Sequence, residues 1–259
     1  MSFTSRVMGL LPKGGYAEYA AIDENHVMAV PDGLSLHEAG GIPEVWLTAY
    51  QLLHFVGNVK ENDIVLIHGG GSGVGTAAVQ LVRLAGAIPI VTAGTKDKID
   101  TCLSLGAKNG FNYKEGEFAP GVLEATGGVN LILDCVGGSF WKQNVACLAP
   151  EGTWVNYGLL GGANIDGPIL GLLLAKRASL LTTTLKSRSN EYKARLISEF
   201  SRNALPYFVK PAIVHGQEIR LKPIIDKEFK LESASDAHRH VLGNKNIGKV
   251  LLIVQDEKD

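Results

Sequence analysis

The densest run of residues able to do chemistry is His68-Gly69-Gly70-Gly71-Ser72-Gly73-Val74-Gly75-Thr76. A turn this rich in glycine lets backbone N–H groups come close to a phosphate, and a helix starting inside it adds the positive end of its dipole. A strict G-x-G-x-x-G is not met. Counted from Gly71 the register ends on Thr76, so close packing of helix on strand falls to Gly75 or a small neighbour. A Walker A loop is excluded because Thr76 stands where the lysine after Gly75 would be. The bland alternative is a structural turn. The strand expected before it and the helix expected after it favour the pyrophosphate of a dinucleotide.

An NAD-binding unit places an acid on the ribose about 20 residues further on. Here the chain reads Val91-Thr92-Ala93-Gly94-Thr95 with no acid, and Lys96 and Lys98 follow. Cations and small hydroxyl residues suit a 2′-phosphate, which favours NADP over NAD. Asp97 fits the positive start of a helix. Either lysine could equally be a solvated surface charge. Two further glycine loops, Asp134-Cys135-Val136-Gly137-Gly138 and Tyr157-Gly158-Leu159-Leu160-Gly161-Gly162, are expected at strand ends. They would let backbone approach a flat ring, or serve only as tight turns; Asp134 could brace a turn or touch a ligand. The seven histidines form no spaced ligand set and the three cysteines no C-x-x-C, so no metal is expected. Glu44 is a weak candidate general acid.

The elements that would position these loops are strands at 64–68, 88–92, 110–113, 129–136, 153–157 and 179–184. Helices are expected at 73–85, 96–105, 121–126, 140–148 and 169–177. Alternation of apolar strands with helices predicts an α/β fold, a doubly wound parallel (Rossmann) sheet. Before it, 15–30 reads as extended through the alternation of Tyr16, Glu18, Tyr19 and Ala21. Ser35 with Glu38 has capping-box spacing, and 45–56 reads as a helix. After it come helices at 190–203 and 233–242 and a strand at 249–254.

Composition bounds the rest. Glycine makes up 31 of 259 residues, about 12% against a usual roughly 7%, which the loops above absorb. A net charge of −1 offers no general attraction for nucleic acid or an anionic membrane. No apolar run approaches the roughly 20 residues of a membrane span, and no signal-peptide core stands near the start. A cytoplasmic protein with reduced thiols, binding neither nucleic acid nor membrane, is expected.

Segments 42–50 (IPEVWLTAY), 68–81 (HGGGSGVGTAAVQL), 91–94 (VTAG), 111–113 (FNY), 130–138 (NLILDCVGG) and 244–249 (NKNIGK) occur in this order. Together the chain resembles, over essentially its whole length, the quinone oxidoreductase branch of the zinc-free medium-chain dehydrogenase/reductase family. The resemblance implies an NADPH-dependent reductase of quinones or related conjugated carbonyls, a homo-oligomer joined through edge strand 179–184. It implies that Ser72, Gly73 and Val74 hold the pyrophosphate, and that Gly94, Lys98 and Tyr113 surround the adenosine 2′-phosphate and ribose. Thr48, Val136, Gly137, Tyr157 and Gly158 would line the nicotinamide, with Asn244 and Lys249 near the cofactor. No catalytic side chain is assigned, because hydride delivery needs chiefly a positioned nicotinamide and a proton from water or a hydroxyl. The implied domains are 1–45, the late part of a GroES-like β domain; 46–185, the NADP-binding domain; and 186–259, a returning segment. The missing front would leave the substrate wall incomplete. A catalytically impaired cofactor-binding partner and an enoyl or alkenal reductase therefore stand as alternatives.

Overall fold

In a computed structural model, residues 5–255 are described. Strands β1 (Val7–Gly9) and β2 (Val27–Ala29) pair antiparallel with Met8 opposite Met28. The extended reading of 15–30 holds only from Val27. Tyr16 and Tyr19 alternate with polar neighbours but meet no strand, and both stay exposed. Ser35 and Glu38 close the expected capping box at the start of α1 (Leu36–Gly40). Helix α2 (Pro43–Tyr50) starts on Pro43, whose fixed φ suits a first helical turn. The single helix expected at 45–56 instead widens after Tyr50: Gln51–Val56 forms wider π-type turns, with Gly57 N–H donating to Leu52 O at 2.8 Å. The wider turns keep Gln51, Leu52 and Leu53 all buried.

The alternating half then follows as β3 (Ile64–His68), α3 (Gly73–Leu84), β4 (Ile88–Ala93), α4 (Lys96–Ser104), β5 (Asn109–Asn112) and α5 (Ala119–Thr126). It continues through β6 (Val129–Asp134), α6 (Trp141–Cys147), β7 (Leu148–Asn156), α7 (Ile169–Lys176) and β8 (Ser179–Thr182). The six strands form one parallel sheet in the order β5-β4-β3-β6-β7-β8, a doubly wound fold whose order reverses between β3 and β6. Within β3 the side chains alternate in strand register. Val65 and Ile67 pack on the face shared with α2, α3 and α8 (Asn190–Asn203), and Leu66 packs on the face of Phe118, Val122 and Trp141. Burial on both faces explains the near-continuous apolar strands.

The chain returns through β9 (Ala212–Val214), β10 (Gln217–Ile219), β11 (Ile225–Lys230), α9 (Ala234–Leu242) and β12 (Lys249–Ile253). Strands β11 and β12 pair in parallel, and Gly248 forms a bridge to Ser72. The tail is thereby stitched onto the glycine turn. Among the described residues no helix is long and apolar enough to cross a membrane.

Candidate functional site

The turn between β3 and α3 is built by steric necessity. Gly69 has φ +65°, a left-handed conformation. A Cβ on Gly75 would lie 2.4 Å from Gly69 O and 2.5 Å from Gly70 O, so Gly75 lets the helix close onto the strand end. Ser72 caps α3, its Oγ accepting from Gly75 N–H at 3.0 Å. The N–H groups of Gly73 and Val74 have no acceptor among the described residues. They are two ready donors at the positive end of a 12-residue helix. Lys249 runs its methylenes over Gly73, 2.8 Å from where a Cβ would stand, and its Nζ pairs with Glu44 Oε2 at 2.8 Å.

Gly94, Lys98, Tyr113 and Asn244 come together at the end of β4. Lys98 crosses directly under Gly71, whose absent Cβ would meet its stem at 2.7 Å. Its Nζ donates to Asn244 O at 2.9 Å and Asn244 Oδ1 at 2.7 Å. Burial, and after it the neighbouring Lys114, pull the Lys98 ammonium below its ordinary pKa. Tyr113 Oη lies over Gly94, 2.6 Å from a Cβ placed there, and Lys114 Cε lies 3.1 Å from the same point. Lys114 belongs to no motif; its place one step after Tyr113 at a strand end is what brings its cation here. Lys96 sits apart, exposed and paired with Asp100.

Val136, Gly137, Tyr157 and Gly158 gather at the ends of β6 and β7. Asp134 braces them rather than facing a ligand. Its carboxylate, with no exposed surface, accepts from Val136 N–H at 2.6 Å, Gly137 N–H at 3.1 Å, Asn144 Nδ2 at 3.1 Å and Trp154 Nε1 at 2.9 Å. Gly137, Tyr157 and Gly158 line a cavity of about 690 Å³ with Asn156 and Thr182. Burial raises the Tyr157 hydroxyl well above its ordinary pKa and pushes the Cys135 thiol up to about 11. Thr48 is set apart from this group. It donates its hydroxyl to Glu44 O at 2.7 Å and lines a second cavity, of about 410 Å³. The segment from Thr182 to Lys186 borders both cavities, Thr182, Thr183 and Thr184 lining the first and Leu185 and Lys186 the second. Among the described residues no group of His, Cys, Asp or Glu is arranged to hold a metal ion.

A doubly wound sheet whose reversal point carries a glycine turn with free helix-terminal donors defines a dinucleotide-binding fold. Comparison with known proteins narrows it. The family model described as zinc-binding dehydrogenase matches residues 73–202. The chain is 32% identical over 250 residues to quinone oxidoreductase-like protein 2 of Bos taurus, covering 95% of this chain and 69% of that protein. It is 31% identical over 251 residues to the 2-haloacrylate reductase of a Burkholderia species, covering 95% and 72%. The quinone oxidoreductase of Thermus thermophilus, solved also in complex with NADPH, superposes with a TM-score of 0.83 at 28% identity, covering 98% and 78%. The chain belongs to the quinone oxidoreductases of the zinc-free medium-chain dehydrogenase/reductase family. That membership places it among the oxidoreductases.

Proposed function

We propose that the chain is an NADPH-dependent reductase of quinones or related conjugated carbonyls. The observation that carries the reading is the pairing of two donor groups about the glycine turn and the end of β4. Free N–H groups of Gly73 and Val74 stand at one point, and the buried Lys98 with Tyr113 and Gly94 stands at the other, on a strand end without a carboxylate. The glycines let Lys98, Tyr113 and Lys249 pack close against the turn and strand end. Ser72, Gly73 and Val74 take the pyrophosphate, while Lys98, helped by Lys114 and Tyr113, takes the 2′-phosphate side. Asn244 holds the Lys98 ammonium in place, and Lys249, through Glu44, fixes the tail across the turn. Val136, Gly137, Tyr157 and Gly158 form the nicotinamide end, and Thr48 stands beside it in the adjoining cavity, across the segment 182–186 that borders both. NADPH supplies the hydride. Residues of the chain orient the acceptor and exclude water; the proton comes from solvent or a hydroxyl. The 2-haloacrylate reductase among the relatives supports a wider acceptor class of activated alkenes.

In this reading 46–185 is the cofactor domain, 1–45 the late part of a GroES-like domain and 186–259 the returning segment. Copies of the chain join through the edge of β8. The test is a fluorescence titration with NADPH and NADH, followed by NADPH oxidation with menadione and with an alkenal. Lys98→Glu sets a carboxylate against a phosphate and is expected to raise the NADPH Kd about tenfold or more, with little change for NADH. NADPH binding without turnover of any acceptor would identify a cofactor-binding partner instead. Equal loss of NADPH and NADH binding in the variant would remove the 2′-phosphate role.

A further inference from the structure

The cavity beside Thr48 has a mixed lining that nicotinamide binding does not explain. One wall is apolar, formed by Leu10, Leu11 and Pro12. Lys186 and Lys193 line it from much later in the chain, after β8 and in α8. Lys193 is half-buried, and its Nζ donates to Lys186 O at 3.1 Å, which uses one of its three N–H donors. Neither lysine has a carboxylate partner among the described residues. The one acid in the lining, Glu44, is already paired with Lys249. Lys186 is exposed and Lys193 half-buried, so both ammonium groups keep donors open to the cavity, and ammonium donors form their strongest hydrogen bonds with carboxylates.

We propose that this cavity selects conjugated acceptors bearing a carboxylate, which Lys193 and Lys186 hold while the conjugated body lies along Leu10 and Leu11 next to Thr48. The proposal rests on the reading of Thr48 as standing beside the nicotinamide end. Benzoylacrylate, an enone acid, is the probe. Its alkene takes one hydride from NADPH at one carbon and one proton from water at the other, giving benzoylpropionate and NADP⁺.

The experiment measures kcat/KM for benzoylacrylate and for its methyl ester, in the protein and in Lys193→Gln, Lys193→Arg and Lys186→Gln. Losing a charge-assisted hydrogen bond is expected to lower the acid-to-ester ratio about tenfold in Lys193→Gln, less in Lys186→Gln, and to leave most of it in Lys193→Arg. A parallel thermal-shift titration with benzoylpropionate and its methyl ester, in the presence of NADP⁺, reads binding without turnover. Stabilisation by the acid alone, lost in Lys193→Gln, supports the site even where neither enone is reduced, an outcome that defeats only the reductase reading. An acid-to-ester ratio unmoved by Lys193→Gln overturns the proposal and leaves that reading standing. A weakened NADPH Kd in Lys193→Gln with no change in the ratio overturns it too, by assigning the lysine to the cofactor.

Discussion

At Asp134 every acceptor direction is taken, and this fixes the state of residues well beyond it. Asn144 gives its Nδ2 to the carboxylate, so its Oδ1 must accept, at 2.7 Å, from His68 Nε2–H. His68 Nδ1 is therefore the acceptor of the Thr92 hydroxyl at 2.8 Å. One polar chain thus links the ends of β4, β3, β6 and β7 beneath the two loops of the site. Burial holds His68 below its ordinary pKa of 6.5. In the unfolded chain the ring gains a proton as pH falls through 6.5, while the folded ring stays neutral to a lower pH. The unfolded state then binds more protons, so stability is present above 6.5 and lost as pH falls below it. Urea unfolding between pH 6.5 and about 5.5 should show a slope of stability with pH that becomes shallower in His68→Gln, by at most about 1 kcal/mol per pH unit. An unchanged slope would mean that the ring titrates alike in both states. At this scale the acid-free strand end marked Lys96 and Lys98 alike as candidate cations and only the family resemblance singled out Lys98, whereas Lys114 and the Asp134 network were not legible. Their partners come from strands and loops distant in sequence, and nothing in local spacing announces a contact between residues 68 and 144.

Among the elements, the glycine turn was the most legible because its constraints are local. Gly69, Gly75 and Ser72 do within one turn what their types suggest: left-handed φ, close backbone approach and helix capping. Gly75→Ala would press a methyl group onto two carbonyl oxygens that belong to backbone and cannot swing away. The expected cost is about 1–3 kcal/mol in urea unfolding, with a weakened NADPH Kd because the donors of Gly73 and Val74 move with the turn. Full NADPH affinity in a stably folded Gly75→Ala protein would separate the turn from the cofactor. Helix α2 was legible only up to Tyr50. Its switch to wider turns depends on where buried Gln51 finds partners, Thr183 Oγ1 at 3.2 Å and Tyr192 Oη at 3.2 Å, both more than a hundred residues away. The alternation at 15–30 misled for a related reason: period-two patterning needs a neighbouring strand before it becomes one.

Across the whole molecule the sheet ends on β8, which is hydrogen-bonded on one side only and has every residue exposed. Leu180 and Leu181 expose apolar side chains on that edge strand, and Leu170 and Leu174 are exposed on α7, which precedes it in sequence. Open apolar edges pair readily with another strand, and the proposed homo-oligomer would cover this one. Leu181→Lys is expected to shift the protein toward a smaller species in sedimentation velocity while leaving the monomer fold intact. An unchanged sedimentation coefficient would place the subunit contact elsewhere. The sequence by itself determined the doubly wound sheet, the glycine turn and the acid-free end of β4, because strand and helix periodicity, turn sterics and charge act over a few residues. Only the tertiary structure decided that Lys98 is held by Asn244, that Asp134 braces the loops and that Thr48 opens into a separate cavity flanked by lysines. Those arrangements follow from which distant segments the packed sheet and returning tail bring together, and no local pattern encodes that juxtaposition.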